Sequence, residues 1–199
     1  IILIATVVVY ILMTLAGGTT NNQVLFEFGA KWTPAIRAGQ YWRLITPVFE
    51  HIGLTHLVMN GITIYFLGIY IESLFGHWRM AVIYFFSGFT GNLLSAVWSP
   101  HTLSAGASTA IFGLFGAFLM LGENFRDYPA IHALATEFLV LVVLNIFTDL
   151  FTPGIDLAGH LGGLAGGFLI AYVLGAPKIG SVDLIKRFIG GTILIVGIL

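Results

Sequence analysis

Ser108 carries the hydroxyl that could act as a nucleophile, in the stretch Gly106-Ala107-Ser108-Thr109-Ala110-Ile111-Phe112-Gly113 at the head of an apolar run. A serine alcohol attacks a carbonyl at neutral pH only when a neighbouring base takes its proton. The candidate base is His160, in Leu157-Ala158-Gly159-His160-Leu161-Gly162-Gly163, also at the head of an apolar run. The competing reading makes both of them small polar residues of membrane helices, satisfied by backbone carbonyls. Intramembrane ionisable groups are, however, functional suspects by default. His56 and Asn60 are four apart and share a helix face, so both can donate toward one point. Acyl transfer needs such donors at the developing oxyanion; the alternative is that they only join helices.

Other polar residues point to architecture. His51 lies five before His56, on a different face, which gives no helical two-histidine metal grip. Glu72, framed by Gly68 and Gly76, is expected to tie helices together. Asp149 could be a third carboxylate of a triad, but solvation at the membrane interface is the expectation taken here. His77, His101 and His132 receive no chemistry. The chain has no His-Glu-x-x-His helix, no Gly-x-Gly-Asp and no cysteine, so among protease chemistries serine is what remains. No metal or cofactor is expected.

These residues must be held by membrane helices. The 199 residues are 58% hydrophobic and 9% charged, a balance foreign to an ordinary soluble domain. The fold class expected is all-α, a polytopic helical bundle. A formal net charge of -1 with no basic tail sets nucleic acid aside as a partner. Apolar runs place spans at about 1–15, 54–74, 80–98, 105–121, 131–150, 157–174 and 185–199. The run from Thr19 to Glu50 is polar and mixed, with Trp32, Tyr41 and Trp42, and reads as an interfacial loop. Ile1 and Leu199 both stand inside apolar runs, so both ends are expected to be cut, with the seventh span truncated.

Arg79, Arg126, Lys178, Lys186 and Arg187 follow the second, fourth and sixth spans, whereas the loops after the third and fifth hold no Lys or Arg. Positive loops stay inside. Spans two, four and six then run from outside to inside, which puts His56, Asn60, Ser108 and His160 at one depth near the outer face. Span four, with 17 residues from 105 to 121, reaches about 25 Å, less than a hydrocarbon core. The segment Ser99 to Ser104 is therefore expected to dip inward and line a wet cavity. Small residues at Gly106, Ala110, Gly113 and Ala117 on one span and Gly163 and Gly167 on the other predict close packing of spans four and six. A transporter is disfavoured because the polar residues cluster at one face.

Taken together, Trp42-Arg43, His51/His56/Asn60, Gly68/Glu72/Gly76, Gly106-x-Ser108 and His160 with Gly163 and Gly167 resemble the rhomboid family of intramembrane serine proteases. The resemblance covers nearly the whole chain from Trp42 onward. It implies one rhomboid-like domain of six core helices plus a seventh, with Ser108 as nucleophile and His160 as base. It also implies an oxyanion hole from the Ser108 N–H, His56 and Asn60. Its implied partners are the lipid bilayer and single-span membrane proteins, cut near the outer leaflet and admitted past span five and its cap at 150–156. The implied setting is a bacterial plasma (inner) membrane, with the site facing the extracytoplasmic side. Thr109 stands where the family usually has Gly and Gly159 where it often has Ala, so the β-branched Thr109 is expected to crowd the contact with span six unless the Gly159–Gly163 segment gives the room back. The alternative from the same resemblance is a non-catalytic protein that binds membrane helices.

Overall fold

Chain this apolar can satisfy its backbone polar groups in lipid only as helices or closed barrels. The computed structural model describes residues 1–198, and its regular structure is helical, apart from an isolated antiparallel bridge between Lys31 and Ser104. The helices are α1 (Ile2–Leu15), α2 (Asn22–Phe28), α3 (Thr33–Arg37), α4 (Gly53–Phe75), α5 (His77–Trp98), α6 (Ser108–Asn124), α7 (Pro129–Asp149), α8 (Leu157–Leu174) and α9 (Leu184–Ile198). Of these, α4, α5, α7 and α8 are long and apolar enough to cross a membrane; α1, α6 and α9 are shorter. Leu199, the expected end of the last span, lies outside the described residues.

Helix α6 is the centre of the bundle, buried along nearly its whole length from Thr109 to Gly122. It begins at Ser108 rather than near residue 105 because Gly106 has φ +145, which no α-helix can continue. The Gly106 N–H instead donates to the Pro47 carbonyl at 2.9 Å. Helix α8 is wedged between α5 and α6, and glycine makes both contacts possible. A Cβ at Gly167 would sit 2.0 Å from the Gly113 carbonyl oxygen, and one at Gly166 1.9 Å from Thr90 Oγ1. Thr90 Oγ1 also donates to the Gly162 carbonyl at 3.0 Å, so the close approach gives a half-buried hydroxyl a partner across the two helices.

Thr109 and Gly159 form one contact. A Cβ at Gly159 would lie 2.9 Å from Thr109 Cγ2, and one at Gly163 2.0 Å from the Thr109 carbonyl oxygen. The methyl of Thr109 fills the room that an alanine at 159 would use. Gly159→Ala is accordingly expected to destabilise the protein by about 1–3 kcal/mol. In Thr109→Ala, which removes that methyl, the same substitution should cost less, by at least about 0.5 kcal/mol. Denaturation in mixed micelles reads both; strictly additive effects would show that the two positions do not share this space.

The run from Thr19 to Glu50, expected as an interfacial loop, is instead largely folded, as α2, α3 and two 3₁₀ turns, Tyr41–Leu44 and Thr46–Phe49. Local signals account for this: Asn21 caps α2 by accepting from the Gln23 N–H at 2.9 Å, and Gly29 ends it at φ 117. Arg43 then pins the segment from inside. Its guanidinium donates to the carbonyls of Phe26 (2.7 Å) and Ala30 (3.0 Å) and to Gln40 Oε1 (2.7 Å), and lies over the Phe26 ring. Burial lowers its pKa, with Glu50 opposing. Tyr41 and Trp42 stay exposed, as interfacial aromatics do.

Candidate active site

The amino ends of α4, α6 and α8 and the carboxyl end of α7 meet at one end of the bundle, and that end gathers the polar side chains. Ser108 opens α6, and its Oγ lies 2.7 Å from His160 Nε2 in the first turn of α8. The Phe112 ring, one turn below Ser108, stacks on the imidazole at 4.3 Å and 12°. His160 Nδ1 in turn lies 2.6 Å from Asp149 Oδ2, the two side chains being only 8% and 10% exposed. The expectation that Asp149 is solvated at the interface is corrected here. The turn after α7 folds back and α8 starts beside it, so a carboxylate eleven residues before His160 is covered by protein. The arrangement is instead the one weighed as the alternative, Asp149 as a third carboxylate beside the histidine; Phe112 did not stand out, and the i, i+4 spacing of Ser108 and Phe112 was the available signal for it.

Asp156 fixes the head of α8. Its Oδ1 accepts from the Gly159 N–H at 3.0 Å, while Oδ2 accepts from Ser95 Oγ at 2.5 Å and Ser104 Oγ at 2.8 Å. One N-cap thus ties α8 to α5 and to the irregular segment between α5 and α6. Lys31, fully buried, holds that segment from the other side: its backbone pairs with Ser104 and its Nζ donates to the Ser99 carbonyl at 3.0 Å. Burial lowers the Lys31 pKa, with Asp156 opposing.

His56 packs against Gly106, where a Cβ would come within 2.7 Å of the imidazole Cε1. Its Nδ1 accepts from the Ile52 N–H at 3.4 Å, which leaves the proton of a neutral ring on Nε2, a donor on the Gly106 side. Asn60 is buried, and its Nδ2 makes no hydrogen bond among the described residues. His56, Asn60, Ser108, Asp149 and His160 all line one cavity of about 940 Å³. It continues between α4 and α7 past Met59, Phe66 and Tyr70 on one side and Phe138 and Leu141 on the other. Among the described residues no group of three or more His, Cys, Asp or Glu could hold a metal ion. Glu72, expected to tie helices, meets His77 across the turn between α4 and α5, where both are exposed.

Two buried groups beneath the site, outside the spans, set a pH window. Burial pushes the Glu50 carboxyl up to about 8, with Arg43 opposing, and pushes His51 down to about 4, with His56 adding to the effect. Glu50 therefore keeps a proton that the unfolded chain has lost, so its effect on stability turns unfavourable as pH rises from 4.5 to about 8. His51 stays neutral where the unfolded chain takes a proton, so stability falls as pH drops from 6.5 toward about 4. Glu50→Gln is expected to flatten the alkaline side alone. Denaturation midpoints at about pH 5 and about pH 9 check this, and an unchanged alkaline slope would contradict it.

The family model described as Rhomboid domain matches residues 38–177. The chain is 38% identical over 189 residues to "Rhomboid protease GluP" of Bacillus subtilis (strain 168), an alignment covering 95% of this chain and 36% of that protein. It is 36% identical over 156 residues to "RHOMBOID-like protein 6, mitochondrial" of Arabidopsis thaliana, with 77% and 50% covered. To "Rhomboid-like protease 3" of Toxoplasma gondii it is 34% identical over 179 residues, with 86% and 67% covered. The chain spans between about a third and two thirds of the length of these relatives.

Proposed function

The chain belongs to the rhomboid family of multi-pass membrane proteins, and from that membership we propose that it is an intramembrane serine endopeptidase, hydrolysing peptide bonds within membrane-spanning segments of other proteins. The observation that carries the proposal is the 2.7 Å approach of Ser108 Oγ to His160 Nε2 across two helices. We read residues 1–199 as one such domain, six core spans and a seventh.

In this mechanism Ser108 Oγ attacks the scissile carbonyl carbon as its proton passes to His160 Nε2. The tetrahedral oxyanion is met by the Ser108 backbone N–H, which has no intrahelical partner at the start of α6, and by the positive end of that helix. His56 Nε2–H and the uncommitted Asn60 Nδ2 are the side-chain donors. Collapse breaks the C–N bond, His160 returns the proton to the leaving amine, and an acyl-enzyme remains on Ser108. Water, activated by the same imidazole, then releases the acid.

The cavity between α4 and α7 supports a substrate helix admitted from the side, its reacting end beside Ser108 and the rest against Met59, Phe66 and Phe138. We propose single-span membrane proteins as substrates, cut near the end of the bundle that carries Ser108. The basic residues after α4, α6 and α8 support a cytoplasmic setting for the opposite end, so the cut would fall toward the outer leaflet. The Bacillus relative makes a bacterial plasma membrane the proposed location.

Purified protein in liposomes with a single-span substrate should cleave it, and Ser108→Ala should not; undiminished cleavage by that variant would sink the assignment. Asn60→Ala should lower kcat about a hundred- to thousandfold with little change in KM. Wild type that neither cleaves nor reacts with a serine-directed fluorophosphonate would favour a helix-binding role instead.

A further inference from the structure

Asp149 is the last residue of α7, and its carboxylate is 2.6 Å from His160 Nδ1 in a pair that is about nine-tenths buried. An ionised carboxylate only accepts hydrogen bonds, so the proton of a neutral His160 must sit on Nδ1. The Nε2 lone pair then faces Ser108 Oγ, the arrangement a base needs. Without an acceptor at Nδ1, part of the population would hold its proton on Nε2 and could not take one from Ser108. The same carboxylate would stabilise the imidazolium formed during attack.

The helix that carries Asp149 is the least buried of the long ones. Only Ala135 and Val142 of α7 are buried, and Phe138 anchors its middle by stacking on Phe118 at 4.2 Å. The side chains of Thr136, Asn145 and Thr148 bond to carbonyls of α7 itself. Among the described residues the Asp149–His160 bond is the one side-chain hydrogen bond from α7 to another helix. The cavity leading to Ser108 runs between α7 and α4, with Asp149 and His160 in its wall.

We propose, resting on the serine-hydrolase reading above, that Asp149 is a positioning residue that sets the tautomer of His160 and makes that setting conditional on α7 being seated. When α7 swings away from α8, Asp149 leaves with it and the base idles. A helix that props α7 open is therefore not cut until α7 closes back, so access and chemistry are joined through one hydrogen bond.

The test compares wild type with Asp149→Leu, close in size but with no acceptor, and Asp149→Glu, which keeps a carboxylate that can accept from Nδ1–H. The rate of fluorophosphonate reaction at Ser108 should fall about a hundredfold or more in Asp149→Leu and recover in part in Asp149→Glu, with similar denaturation midpoints. Histidine ¹⁵N spectra should show His160 protonated at Nδ1 in wild type and a tautomer mixture in Asp149→Leu. Because the chain has no cysteine, spin labels can be attached at Val58→Cys on α4 and Phe147→Cys on α7, both exposed. Their distance should lengthen and broaden in Asp149→Leu.

A rate within about threefold of wild type in Asp149→Leu would overturn the positioning role, and an unchanged distance would overturn the link to α7. Wild type in which Ser108 does not react at all would sink the hydrolase reading, and this inference with it. The two failures are therefore distinguishable.

Discussion

Alanine at His160 is expected to abolish cleavage as completely as alanine at Ser108, and the double substitution should be no worse than either single one. Nucleophile and base act as a unit: without the imidazole the hydroxyl keeps its proton, and without the hydroxyl the imidazole has nothing to deprotonate. In a soluble serine protease each such loss costs on the order of a millionfold in kcat. No neighbouring group is placed to substitute. His56 is the nearest other imidazole on the cavity wall, but its Nδ1 is occupied by the Ile52 N–H and its Nε2 carries a proton. Residual turnover in all three variants should be equal and should come from the oxyanion donors alone. Single-turnover cleavage of a membrane-embedded substrate measures it. His160→Ala retaining more than about 1% of wild-type activity would mean another base.

Gly167→Ala is expected to be among the most damaging substitutions outside the site, costing about 3 kcal/mol or more, or preventing folding. The new Cβ would lie 2.0 Å from the carbonyl oxygen of Gly113 and 2.4 Å from its Cα. These are backbone atoms of the most buried helix, so they cannot swing aside as a side chain could. Helices α6 and α8 would have to separate, and with them Ser108 and His160. The expected sign at Gly197 is opposite. Among the described residues nothing beyond its own helix backbone and chain neighbours lies within 4 Å of a Cβ there, so Gly197→Ala should be neutral or add up to about 1 kcal/mol from helix propensity. Denaturation in mixed micelles, with correct insertion checked by protease protection, compares the two. Equal midpoints for both variants would show that the α6–α8 contact is not what holds the bundle.

Much of this was legible in the chain itself. Apolar runs with few charges locate helices, because lipid leaves the backbone no other partner than itself. The types and spacing of Ser108, His160, His56 and Asn60 mark them because ionisable or nucleophilic groups are costly at such depth. The small residues from Gly106 to Ala117 and at Gly163 and Gly167 announce that two helices approach closely.

Other features exist only in three dimensions. That Arg43 and Lys31 are buried inside the segment between α1 and α4 depends on carbonyls of Phe26, Ala30 and Ser99 brought to them by the fold. The first turn of α6 is set by the φ of Gly106 and its bond to Pro47, a pairing across some sixty positions that no local pattern encodes. The partner of His160 Nδ1 was decided by where α7 ends relative to α8. An aspartate at a helix terminus looks the same in sequence whether it faces lipid headgroups or an imidazole, and only the packing of the neighbouring helix excludes the water that would otherwise solvate it.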